Sequence, residues 1–148
     1  MNSRLHFRRC RALNTDEVAE PNAFAVDAAI AAFSEGGAWL DELRRYIYEN
    51  KRWTIEFVKE KIPQIQVVPS HATYLLWLDC TGMMGSVKEA AQYIRNKTGL
   101  YLSEGSQYGD CGKDFLRLNI ACPRSTLEDG LKRLREGIAA YEEDVSNR

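Results

Sequence analysis

Apolar positions change period four times along the chain, and each change marks a new kind of element. From Pro21, which suits a first helical turn, Phe24, Ala28, Ala31 and Ala32 form a small-residue stripe that Gly36-Gly37 stops. A longer helix follows, with Trp39, Leu40, Leu43, Tyr46, Ile47, Trp53, Thr54, Phe57 and Val58 near 3-4 spacing, ending before Pro63. Its broad apolar face requires a large packing partner, and strands come next. I-Q-V-V-P (65–69) and T-Y-L-L-W-L-D (73–79) are β-branched and aromatic and read as two short strands. Ser86-Val87-Lys88-Glu89 has the form of a capping box, and the helix it opens runs to about Thr98, where Gly99 ends it. Leu100-Tyr101-Leu102 reads as a brief strand, S-E-G-S-Q-Y-G-D-C-G as a loop, and Phe115 to Ala121 as a further strand. Ser125-Thr126-Leu127-Glu128 is a second box, opening a last helix with the stripe Leu127, Leu131, Leu134 and Ile138. The order helix, helix, strand, strand, helix, strand, strand, helix gives a two-layer α+β domain, a short mixed or antiparallel sheet with helices on one face.

Composition narrows the class. With 148 residues, 45% of them hydrophobic and a formal net charge of −1, the chain is one domain's worth of material and neither disordered nor low-complexity. No apolar run approaches the roughly 18–20 residues of a membrane span, and the start of the chain lacks a secretory signal's apolar core. A cytoplasmic chain with reduced thiols is therefore expected, without membrane or nucleic acid as partner. Cys10, Cys80, Cys111 and Cys122 are scattered and His6 and His71 pair with none of them, so no metal site is expected. Residues 1–20 differ from the rest: Arg4, Arg8, Arg9 and Arg11 precede the first acid, Asp16. They read as a basic arm or as the frayed end of a helix whose partner lies elsewhere.

Candidate chemistry is sparse. There is no G-x-S-x-G serine, Gly105, Gly109 and Gly112 have the wrong spacing for a dinucleotide loop, and Gly112-Lys113 lacks the Ser or Thr of a phosphate loop. One strand stands out. Alternation in F-L-R-L-N-I-A puts Phe115, Arg117, Asn119 and Ala121 on one face and Leu116, Leu118 and Ile120 on the other. A guanidinium on an interior-looking strand needs a partner, and its fork matches a carboxylate. Anion binding, a structural ion pair and a water-facing edge strand all satisfy that pattern.

Three segments carry a resemblance: P-N-A-F-A-V-D-A-A-I-A-A-F-S-E-G-G-A-W-L-D-E-L, A-T-Y-L-L-W-L-D, and L-S-E-G-S-Q-Y-G-x-x-G-x-x-F-L-R-L-N-I-A-C-P-R. Together they resemble the C-terminal small domain of class I/II aminotransferase-fold enzymes that use pyridoxal 5'-phosphate. Within these the chain is most similar to the cystathionine β-lyase-like C–S lyases (the MalY/PatB group). The resemblance covers about residues 10–140. It implies a small domain over 21–148, preceded by the tail of a connecting helix at 4–13. It also implies that Arg117 binds the α-carboxylate of an amino-acid substrate, which agrees with the independent reading of an arginine needing an anion. Gly105, Ser106 and Tyr108 fall on the segment that approaches the active site, Asn119 is a further substrate-proximal candidate, and Tyr74 is implied to pack in the core.

The departures from the family pattern matter as much. The family's Schiff-base lysine sits in an S-x-S-K-like segment, and Lys51, Lys59, Lys61, Lys88, Lys97, Lys113 and Lys132 are in no such context. The cofactor-ring aspartate, the stacking tyrosine and the N-P-H-N-P-x-G loop are absent too. The resemblance thus implies pyridoxal phosphate as the cofactor of the full-length family, not bound by this chain alone, and either β-elimination from S-substituted cysteines or transamination once a large domain is supplied. The competing expectation is a truncated, non-catalytic module that self-associates or binds a ligand or partner.

Overall fold

A computed structural model describes residues 22–148. The arginine-rich opening, the connecting-helix tail expected at 4–13, His6, Cys10 and Pro21 lie outside the described residues. The chain divides into two compact units after Glu42. The first unit contains helix α1 (Ala23–Glu35), capped by the Asn22 side chain, which accepts from Ala25 N at 2.9 Å. Gly36 separates α1 from α2 (Gly37–Lys61), so of the two glycines expected to stop the helix, one ends it and the other opens the next.

The second unit, Leu43–Arg148, is built around a four-stranded sheet. Its strands are β1 (Gln66–Val67), β2 (Leu75–Asp79), β3 (Ser103–Glu104) and β4 (Phe115–Asn119), in the order β1-β2-β4-β3 and antiparallel throughout. Leu76 and Leu78 of β2 and Leu116 and Leu118 of β4 point into the core, where they join Ile94 of helix α3 (Val87–Thr98) and Leu127, Leu131, Leu134 and Ile138 of helix α4 (Arg124–Ser146). Val58, Ile62 and Ile65 complete the core from the end of α2 and the turn beyond it. The expected α+β two-layer architecture and the α4 stripe are what the fold contains. α3 ends where expected, at Gly99, whose left-handed backbone (φ 75°) lets its N–H reach Arg95 O.

Several local expectations are corrected, each because a tertiary partner or a local turn outcompetes the pattern. β2 begins at Leu75 rather than residue 73, because Thr73 has φ 68° and its hydroxyl accepts from Leu75 N at 3.0 Å. Tyr74, emerging from that turn, is exposed rather than in the core. The strand expected at 100–102 lies at Ser103–Glu104, where pairing with β4 is available. Only half of the Ser86 box forms: Ser86 Oγ accepts from Glu89 N at 3.5 Å, but the Ser86 N–H goes to Tyr141 Oη at 2.9 Å instead of to the Glu89 carboxylate. The Ser125 box does not form, because α4 starts one residue earlier and its Arg124 N–H donates to Tyr46 Oη at 2.8 Å.

Candidate functional site

One face of the sheet is sealed by helices, and the other carries the polar and aromatic side chains. Register decides which of them meet. Leu75 lies opposite Asn119, Trp77 opposite Arg117, and Asp79 opposite Phe115, while Ser103 flanks Arg117 from the other neighbour. Paired residues share a face, so Arg117 and Trp77 are side by side on the open one. β4 is paired on both sides and is not an edge strand. Of the three readings of Arg117, the water-facing edge is thereby removed.

The described residues supply no ion pair for it either. Arg117 is half-buried, and among the described residues no carboxylate pairs with it. Its guanidinium carbon instead stands 4.5 Å from the centroid of the Tyr108 ring. Tyr108 meets Trp77 edge-on at 5.6 Å and 87°, and Trp77 meets Phe115 at 6.1 Å and 86°. These rings, with Val68, Cys111 and Gly112, line an open hollow of about 260 Å³, which Arg117 reaches only through its contact with Tyr108.

The loop that delivers Tyr108 is two 3-10 turns, Gly105–Tyr108 and Asp110–Gly112, packed back to back. At Gly105 an added Cβ would run into the Gly112 carbonyl oxygen and lie 2.9 Å from Trp77 Cζ3, so only glycine lets the loop fold this tightly over the tryptophan. Ser106 is exposed on the first turn, and no hydrogen bond links it to Arg117. Asn119 is on the Arg117 face but exposed, with its side-chain oxygen accepting from Ala121 N at 2.8 Å. Arg117 and Tyr108 are thus brought together, Gly105 supports them from beneath, and Ser106 and Asn119 stand apart from that contact.

Two contributors escape inspection of the motifs alone. Trp77 lies in the strand beside Arg117, and its place on the open face follows from the same alternation that exposes Leu75 and Asp79; its pairing with Arg117 does not. Asn50 is fully buried in α2 and donates from Nδ2 to Ile120 O at 3.0 Å and Cys122 O at 3.1 Å, tying the helix to the chain leaving β4. The thiols differ sharply. Burial pushes Cys80 up to about 12, whereas Cys111 is exposed at the hollow.

Comparison with known proteins gives a consistent picture. The family model described as aminotransferase class I and II matches residues 13–134. Cystathionine beta-lyase PatB of Bacillus subtilis is 40% identical over 118 residues, covering 80% of this chain and 30% of that protein. Protein MalY of Escherichia coli is 32% identical over 125 residues, covering 84% and 32%. The crystal structure of a PLP-bound putative aminotransferase from Clostridium difficile superposes with a TM-score of 0.78 at 30% identity, over 84% of this chain and 33% of that one. The chain spans about a third of the length of the relatives it matches.

Proposed function

Because the chain belongs to the aminotransferase class I and II family, we propose that it acts as the carboxylate-binding small domain of a pyridoxal-phosphate-dependent C–S β-lyase or aminotransferase, with Arg117 as the residue that grips the substrate. The observation that carries this reading is an arginine on a central strand, half-buried, without an acidic partner among the described residues and in contact with Tyr108, whose ring lines an open hollow. A guanidinium in that position is left with its fork of donors for an incoming α-carboxylate. Holding the carboxylate at a fixed point of a rigid sheet orients the rest of an amino-acid substrate, an S-substituted cysteine such as cystathionine in the lyase version. The similarity to a cystathionine beta-lyase at 40% identity favours that version.

The cofactor is a different matter. A pyridoxal phosphate site needs an amine for the aldehyde and several donors for the phosphate. No lysine lines the hollow, and the Lys51 ammonium is held by the Ser70 carbonyl and, at 2.8 Å, its hydroxyl. The described residues do not fit the cofactor by themselves, and we read residues 21–148 as the small domain of a site completed by a large domain. By itself this stretch is inactive.

The experiment is reconstitution. The chain is mixed with a separately expressed large domain, pyridoxal phosphate and cystathionine, and pyruvate is measured. Pyruvate formed only by the mixture is the expected result, and a folded mixture that forms none sinks the lyase reading. A second reading, a non-catalytic module that self-associates, is favoured by one specific observation: Phe24 and Phe33 of α1 are 85% and 94% exposed.

A further inference from the structure

We propose that Tyr108 is a positioning residue for Arg117, holding the guanidinium by one face so that its edge of N–H donors stays free and correctly aimed for a carboxylate. The proposal rests on the reading of Arg117 as the carboxylate site and gives that site its orienting element. A guanidinium has two chemically distinct surfaces: flat faces that stack on aromatic rings and a rim that donates hydrogen bonds. An acid placed beside Arg117 would fix it but occupy the rim. The Tyr108 ring, 4.5 Å from the guanidinium carbon, fixes it without using a donor.

The ring can do this only if it is itself held, and three features hold it. Trp77, directly opposite Arg117 in the sheet, meets the Tyr108 ring edge-on at 5.6 Å. Phe115 in turn backs Trp77 at 6.1 Å. Gly105 lets the loop close over Trp77, with no room for a Cβ. Trp77 therefore serves both neighbours, one through sheet register and one through ring contact. The Tyr108 hydroxyl has no hydrogen-bond partner among the described residues, so the ring and not the hydroxyl carries the role. That separates Tyr108 from Tyr46 and Tyr141, whose hydroxyls are both engaged.

The test is made on the full chain by NMR, with the Arg117 Nε–H assigned through Arg117→Lys. Two quantities are read: the order parameter of that Nε–H, and its response to sodium acetate against sodium chloride of equal ionic strength. In the unsubstituted chain the order parameter should be near that of rigid backbone, about 0.85, and it should fall below about 0.6 in Tyr108→Leu. The acetate half-saturation point should rise roughly two- to fivefold in the same variant. Tyr108→Phe should restore both, which a role through the hydroxyl would not allow. Tyr108 is half exposed, and Tyr108→Met is a second ring-free variant should leucine disturb the fold.

An order parameter already low in the unsubstituted chain overturns the proposal, as does acetate binding unchanged by loss of the ring. A rigid, ring-dependent Nε–H with no acetate response overturns the carboxylate reading itself, and the positioning role with it. The two failures are told apart by whether the unsubstituted chain responds to acetate.

Discussion

Arg117 shows how one side chain can be assigned to a strand face and still be undetermined in surroundings. Its place on the face shared with Phe115 and Asn119 follows from the two-residue period of a strand, and the structure agrees: Leu116 and Leu118 are buried and Arg117 is not. That no acid among the described residues meets it is not written in the strand, and that a tyrosine does depends on a loop nine residues earlier in the chain. In the reconstituted enzyme, Arg117→Ala should lower kcat/KM about 10- to 100-fold, from the roughly 1.5–3 kcal/mol that hydrogen bonds to charged groups contribute. Steady-state rates at low substrate check this, and an unchanged value refutes the assignment. The cysteines give a second residue-scale prediction. Iodoacetamide at neutral pH should modify Cys111 well before Cys80, which is buried and has its thiol pushed up to about 12. The sign for stability follows. The unfolded Cys80 thiol loses its proton near 9 and the folded one near 12, so this group's contribution is complete below pH 9 and is lost as pH rises from 9 to 12. Urea midpoints for Cys80→Ala and the unsubstituted chain should therefore converge in relative terms across that window; parallel pH profiles would contradict it.

At the scale of elements, helix existence and the glycine stop of α3 were legible, and helix starts were not. The 3-4 spacing of α2 and α4 locates both helices, because burying one stripe on a sheet is a local, periodic requirement. The starts instead depend on which group reaches the free N–H groups first. At the first expected box the Ser86 N–H goes to the hydroxyl of Tyr141 from another helix, and where the second was expected the helix already starts at Arg124, whose N–H goes to Tyr46. Tyr141 Oη also donates to Ser86 O at 3.1 Å, so a single buried hydroxyl ties α4 to the start of α3. Tyr141→Phe should cost roughly 0.5–1.5 kcal/mol, the net contribution of an ordinary hydrogen bond, because Ser86 itself is exposed to water. Glu89→Ala, which the sequence pattern alone would rank as the more harmful change at this cap, should cost less than about 0.5 kcal/mol. Urea denaturation of the two variants decides, and the reverse ranking would mean that the carboxylate closes the box in solution. Close helix packing adds a constraint with no local signature: a Cβ at Gly137 of α4 would stand 2.8 Å from Ile94 Cγ1 of α3.

For the whole molecule the question is what completes it. Leu43–Arg148 has its own core, whereas α1 exposes Phe24, Ile30 and Phe33. A 13-residue helix is marginal by itself in water, so such a helix gains most when its apolar side chains are covered. The isolated chain is expected to bind a hydrophobic dye and to self-associate with rising concentration. Phe24→Ser with Phe33→Ser should reduce both without lowering the urea midpoint of the Leu43–Arg148 core. Sedimentation and dye fluorescence measure this; a monodisperse, dye-silent chain would argue that these side chains are not an interface.

What the sequence determined by itself is whatever a short window can encode: the periods of the helices and strands, the face on which Arg117 stands, and the motifs that tie the chain to its family. The absence of the family's lysine motif was equally legible, since that motif is a short string. Only the tertiary structure decided the rest. The sheet order β1-β2-β4-β3 seats Trp77 against Arg117, a partnership of residues forty positions apart that no window contains. The 3-10 loop brings Tyr108 over the guanidinium, and tyrosines from distant helices settle the caps. The physical reason is the same in each case. Periodicity records which side of an element is to be buried, whereas the identity of a neighbour is chosen by register, packing and competition for hydrogen bonds among parts that meet only when the chain has folded.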